Sequence, residues 1–214
     1  RLAAVALLAA VPAYAFPLLG QVEESAAAKE KSGPCRERRP LPAIDPAVGL
    51  SWLQHVEGTA KALGENNCLK RVSLGWEELS AKDAPRLAQL MKAGVEVLFL
   101  FQNQLDDEAA RVIADALPET QLRELDMAHN AVGDDGASAL AAALSSTPSL
   151  HILRLNANDN LGDGAADAFA KAVLDVKCPL DELWLSSIHI GGEAAERLRR
   201  AWEKSGRDET LLVI

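Results

Sequence analysis

Between residues 69 and 190 the apolar positions fall in a spacing that repeats. Leu122, Leu125 and Met127 lead to Asn130 and Val132, and Leu150, Leu153 and Leu155 lead to Asn158. Upstream, Val95, Leu98 and Leu100 lead to Asn103 and Leu105. Looser copies flank these, with Leu69, Val72, Leu74 and Leu79 before and Leu180, Leu183, Leu185, Ile188 and Ile190 after. The copies start at Leu69, Val95, Leu122, Leu150 and Leu180, which are 26, 27, 28 and 30 residues apart, the range of stacked supersecondary units. Inside each copy two apolar residues bracket one other, which predicts a short strand with those two side chains on one side and the intervening residues on the other. Asn103, Asn130 and Asn158 then stand where the chain turns, where an amide hydrogen-bonds exposed backbone groups of adjacent coils. Glu77 and Ile188 replace the Asn in the outer copies, so those turns satisfy their backbone differently. In the Asn158 copy the next apolar residue, Leu161, comes one position late, which predicts a small bulge.

The pattern predicts that each strand is followed by an amphipathic helix. Asp107–Leu117, Asp134–Leu144, Asp163–Leu174 and Gly192–Trp202 carry apolar residues at helical spacing. Three of these starts are acidic, which suits the positive end of the helix dipole. Ala139, Ala141, Ala142 and Ala143 leave a thin face that packs close to a sheet. Residues 46–63, with Trp52, Leu53 and Val56, predict a capping helix ahead of the repeats, within a cap of residues 47–68. Thr210–Ile214 predicts a last strand that closes the other end, because the terminal units of a solenoid must be covered.

Three copies of Leu-x-x-Leu-x-Leu-x-x-Asn, or close variants, resemble the leucine-rich-repeat family, in particular its ribonuclease-inhibitor-like subclass with long helical repeats. The resemblance is strong over residues 69–190 and extends to 214 as flank. It implies an α/β fold: a right-handed solenoid of about five short repeats over 69–214, with a parallel concave sheet and convex helices. It also implies protein recognition on the concave face rather than catalysis.

Residues 1–20 form a different region. Leu2–Val11 is an unbroken apolar run after Arg1, followed by Pro12, Ala13-Tyr14-Ala15 and Phe16. A basic flank, an apolar stretch and a small-x-small site are the features of a cleavable export signal cut after Ala15. Leu2–Leu19 also contains no charge and nearly reaches the ~20 residues that span a bilayer, as a retained anchor would. The Ala-rich run resembles signals for the thylakoid lumen or plastid envelope. Both outcomes place the chain at a membrane or in an exported compartment. Residues 21–46 mix charges with Gly33, Pro34, Pro40, Pro42 and Pro46. Such a stretch buries too little apolar surface to order itself, and its Pro spacing keeps the second half extended, as a linker.

Charge narrows the partners. Residues 1–46 hold six basic and five acidic side chains, so with a net charge of −9 for the chain the remainder carries −10. An acidic body without a basic, aromatic-lined stripe excludes nucleic acid as the natural partner. Cys35, Cys68 and Cys178 are an odd number at irregular spacing and form no disulfide framework or zinc site, with Cys35–Cys68 the one pairing left open. Asn156–Gly162 imitates a calcium loop but has no Asp first and no closing Glu. The Gly-Asp-Asp-Gly run at 133–136 and Gly162-Asp-Gly164 lack the Lys and Ser/Thr of a phosphate loop. No nucleophile, base and orienting group can be assembled from the pattern, and no metal or cofactor is expected. The candidate site is therefore the concave face, represented by Trp76, Val97, Phe99, Phe101, Asp126, His129, Arg154 and Trp184. Phe99 and Phe101 alternate with Leu98 and Leu100, so both rings point away from the core, with Val97 beside them and Trp76 one strand away. Asp126 and Arg154 hold equivalent positions on neighbouring strands, where a cross-strand ion pair accounts for both.

Overall fold

A computed structural model describes residues 71–187 and 189–214. The expected signal or anchor, linker, capping helix, Cys35, Cys68 and Ile188 lie outside the described residues. Six short strands form one sheet: β1 (Arg71–Ser73), β2 (Val97–Phe99), β3 (Glu124–Asp126), β4 (Ile152–Arg154), β5 (Glu182–Trp184) and β6 (Leu212–Val213). They lie side by side in chain order and all adjacent pairs are parallel. Val72, Leu98, Leu125, Leu153 and Leu183 fall in register across the sheet. Repeats of 26 to 30 residues thus form one aliphatic row, because each coil returns the chain to the same height whatever its length.

Between the strands run helices α1 (Ala84–Lys92), α2 (Asp107–Ala116), α3 (Asp134–Ala143), α4 (Asp163–Ala172) and α5 (Gly192–Lys204). Helix α1 is one the sequence ranges did not specify. Its Pro85 sits in the first turn, where no intrahelical N–H is required, and Leu87, Leu90 and Met91 enter the core. Helices α2 and α3 end one residue early and tighten into single 3-10 turns, Leu117–Glu119 and Leu144–Ser146. Leu117 and Leu144 are still fully buried there. The closing strand is shorter than expected, since Glu209–Leu211 forms a 3-10 turn before β6.

One core runs the length of the stack between helices and sheet, mostly aliphatic, with Phe169 and Trp202 as its aromatic members among the described residues, near the C-terminal end. Each fully buried Leu contributes about 1.5–3 kcal/mol. The turn asparagines stitch the coils as expected. Asn158 is fully buried; its Oδ1 accepts from Val132 N–H at 2.9 Å and its Nδ2 donates to the Met127 and Leu155 carbonyls at 3.0 and 2.7 Å. Asn130 bonds Leu105 N–H at 3.0 Å and the Leu100 and Met127 carbonyls. Asn103 reaches into the first coil, accepting from Glu77 and Leu79 N–H and donating to Leu74 O, so the coil that has Glu77 in the Asn position is satisfied from its neighbour. In the fifth coil Ser187 Oγ donates to Leu161 O at 3.0 Å and takes over part of that role.

The acidic helix starts do more than complement a dipole. Asp107 Oδ1 accepts from Gly133 and Gly136 N–H at 2.6 and 2.9 Å, capping α3 from the preceding coil. Asp134 does the same for α4 through Gly162, Gly164 and Ala165 N–H. Asp163 continues to Gly191 N–H at 2.6 Å, and Gly192 then stands in its place, so the ladder stops at the last helix. At the other end α2 has no carboxylate from the preceding helix, which starts at Ala84, and uses its own Asp106, which accepts from Ala109 N–H. A Cβ at Gly136 would sit 2.6 Å from Asp107 Oδ1, which is why glycine follows the carboxylate into the next coil.

Candidate functional site

The open face of the sheet carries three rows of side chains between the leucine rows. Arg71, Val97, Glu124, Ile152 and Glu182 align in one row, and Ser73, Phe99, Asp126, Arg154 and Trp184 in the next. The residues that follow are Gly75, Phe101, Ala128, Asn156 and Ser186. One position further on, Trp76, Gln102, His129 and Ala157 all have φ between 54° and 67°. The first four strands therefore leave the sheet through a left-handed residue, and the first coil puts a tryptophan there.

That geometry turns Trp76 into solvent at 70 % exposure. Val97, Phe99 and Phe101 are half-buried on the same face. Both phenylalanines lie on the open face, and neither ring is bare. The Arg71 guanidinium lies 4.7 Å from the Phe99 ring centre, a cation–π contact. The Phe101 ring covers Gly75, where an added Cβ would come within 2.6 Å of it. The first two coils thus present aromatic and aliphatic side chains whose two phenylalanine rings are held by Arg71 and Gly75.

From β3 to β5 the face becomes polar. The expected pairing of Arg154 with Asp126 is not what the side chains form. Register places them opposite each other, but Arg154 reaches diagonally, with one terminal nitrogen donating to Glu124 Oε1 and the other to Glu182 Oε1 at 2.7 Å. The Trp184 indole N–H donates to the same Glu182 oxygen at 2.7 Å, and Arg154 lies 5.7 Å from the Trp184 ring. Burial works against the Arg154 charge, but Glu124 and Glu182 outweigh it and hold its pKa above the ordinary value. Asp126 instead accepts from Ala128 N–H at 2.9 Å. Burial pushes its carboxyl up, opposed by the Ala128 N–H and by Arg154. His129 is exposed at the end of its strand. Trp184 is 37 % exposed. The eight candidate residues therefore share one face as two zones, apolar over β1–β2 and acidic over β3–β5. Glu124 and Glu182 read from the sequence as open-face residues of the third and fifth coils but not as members of the candidate set, and it is their bonds to Arg154 that bring them into it.

The loops that imitate ligand sites are used internally. The Asn158 amide bonds backbone of two coils, and the glycine-rich helix starts are filled by Asp107 and Asp134. Cys178 is buried, and burial pushes its thiol pKa up, away from reactivity.

A family model described as Leucine Rich repeat matches residues 120–141, the stretch from the third strand into α3. Residues 120–141 are thus a leucine-rich repeat, and they sit in a stack of coils built the same way. The chain is also similar to dynein regulatory complex subunit 5 of Mus musculus, 30% identical over 129 residues. That match covers 58% of this chain and 25% of the relative, so the chain spans about a quarter of the relative's length. Two solved structures share the leucine-rich-repeat fold. Leiomodin-1 Actin-Binding Site 2 aligns with a TM-score of 0.59 at 17% identity, over 76% of this chain and 91% of that one. The tropomodulin C-terminal domain of Caenorhabditis elegans aligns with a TM-score of 0.56 at 20% identity, over 71% and 93%. At these identities the likeness is one of fold.

Proposed function

We propose that the leucine-rich-repeat region is a non-enzymatic protein-binding module whose partner docks on the open face of the sheet, and that it serves as an accessory subunit of a larger assembly held at a membrane. The observation that carries the first half is the group of Val97, Phe99 and Phe101 on the open face, with Trp76 in the turn after β1, all left open or partly open to solvent. Aromatic residues on a preorganised surface are the usual anchors of protein interfaces. The polar groups of the face are engaged with one another through Arg154 rather than converging on a point where a reacting atom would sit. The relatives lend support, since one is named as a subunit of a regulatory complex and another as an actin-binding site.

The test is affinity capture with the full chain and with its Phe99→Ser/Phe101→Ser variant, quantified by mass spectrometry. A set of proteins that disappears with the double variant supports the face; an unchanged set overturns it. Actin and dynein-complex components are the first to look for in that set.

The membrane half of the proposal rests on Leu2–Leu19 as a tether, with residues 21–46 as spacer. Resistance of the chain to high-salt and carbonate washes supports it, and release by salt alone overturns it. The Ala13-Tyr14-Ala15 site favours a second version, in which residues 1–15 are removed and the module works as a soluble recognition protein in an exported compartment such as the thylakoid lumen. A mature N-terminus at Phe16 selects that version.

A further inference from the structure

Three carboxylates and one guanidinium stand together in the middle of the open face. Arg154 is shared between Glu124 and Glu182, which leaves those three with a net charge of −1, and Asp126 adds another. Among the described residues the Asp126 carboxylate accepts one hydrogen bond, from Ala128 N–H, and Arg154 acts on its charge without a direct ion pair. One coil back, Phe99 stands beside Asp126 in the same row with Phe101 two residues on, and Trp76 belongs to the coil before that. The body that carries this face has a net charge of −10 outside residues 1–46.

We propose, resting on the reading of this face as the binding surface, that its occupant is an extended basic segment of a protein partner. The segment runs across the strands with an apolar side chain against Trp76 and Phe101 and a lysine or arginine at Asp126. Charge complementarity selects the partner. An acidic segment would meet like charge at the floor of the face and from the whole body, whereas a cation at Asp126 gains a partly desolvated carboxylate. Spacing selects an extended chain. Strands stack at about 4.8 Å, so the face from Trp76 to Trp184 is about 20 Å across, which six or seven extended residues cover.

The test uses the full chain in detergent micelles as bait for a phage-displayed library of random dodecapeptides. Synthetic versions of the enriched peptides are then titrated by fluorescence polarisation. The expected result is enrichment of peptides that pair an aromatic or aliphatic residue with Lys or Arg. Asp126→Asn, which keeps an oxygen for the Ala128 N–H, should weaken them about 10-fold, and Phe99→Ser/Phe101→Ser should remove binding. Asp126→Lys should restore binding to the peptide whose cation is changed to Glu, an outcome that a merely unfolded variant cannot give. Enrichment of neutral or acidic peptides, or an Asp126→Asn variant that binds equally well, overturns the basic segment while leaving the face intact. Enriched peptides that ignore the double phenylalanine variant overturn the face itself. Basic peptides captured only after Arg36, Arg38 and Arg39 are changed to Glu overturn the external partner and assign the site to the chain's own linker. No enrichment in either form overturns the proposal outright.

Discussion

At the scale of single residues, the asparagine ladder and the open-face charges behave oppositely. Asn158 is buried and serves one N–H and two carbonyls, so Asn158→Ala strands all three. Each unsatisfied buried group costs about 1–3 kcal/mol, so a loss of about 3 kcal/mol or more is expected in urea unfolding. Asn103→Ala, at a half-buried turn that water can enter, should cost clearly less. Asp126 reverses the sign. Its folded pKa is raised by burial, so the folded state binds the proton more tightly than the unfolded chain does. Stability from this group falls as pH rises from the ordinary carboxylate range through the raised folded value, and the penalty is fully present above that value. Asp126→Asn should therefore raise the melting temperature at pH 7, with a gain that vanishes towards pH 3, while weakening the partner. A gain in stability with a loss in binding marks a residue kept for recognition. The ladder was legible because one residue type recurs at one repeat position. The partners of Arg154 were not, because periodicity assigns neighbours straight across a sheet while a long side chain also reaches the diagonal positions.

At the scale of elements, helix capping is shared between coils. The sequence showed acidic helix starts, and the natural inference placed each on its own helix dipole. In the structure Asp107, Asp134 and Asp163 each bond the start of the next helix, a pairing at a separation of 26 to 31 residues that local capping rules do not reach. The trace it leaves is glycine at the positions the carboxylate approaches. Asp134→Ala removes bonds to three N–H groups and should cost about 1–2 kcal/mol, the scale of a lost cap. Asp163→Ala removes one recorded bond and should cost less. Gly136→Ala should destabilise by about 1–3 kcal/mol because its Cβ meets Asp107 Oδ1 at 2.6 Å and Ala110 Cβ at 2.8 Å. In the Asp107→Ala background the same change should cost less than in the parent, a non-additivity that a double-mutant cycle reads directly. Equal costs in both backgrounds would mean that the carboxylate does not sit against that glycine. The helix after β1 shows the other limit of the pattern. Pro85 interrupts what reads as a helical stretch, and only its position in the first turn makes it harmless.

At the scale of the whole molecule, the chain is a stack in which each coil packs on its neighbours, so stability is carried by successive interfaces rather than by one centre. The C-terminal end is where the repeat pattern gives way to individual contacts, and there the sequence was least informative. Arg207 donates to the Val173, Leu180 and Cys178 carbonyls, and its guanidinium lies 5.6 Å from the Trp202 ring. Trp202 is fully buried and donates its indole N–H to Asp208 O at 2.9 Å. A single arginine thus ties the loop after α4 and the start of the fifth coil to the closing turn. That loop belongs to the longest repeat, and it leaves Val176 96 % exposed, so little apolar burial holds it apart from Arg207. Arg207→Ala leaves three carbonyls to find water and removes charge-assisted bonds whose net contribution is of the order of 1.5–3 kcal/mol each at best. Native-state hydrogen exchange should show protection lost in β5, α5 and β6 while β2, β3 and β4 lose little, because a defect in a nearest-neighbour stack spreads only as far as the interfaces it touches. Uniform loss across all strands would show instead that the six-stranded stack opens as one cooperative unit, with Arg207 stabilising the whole of it.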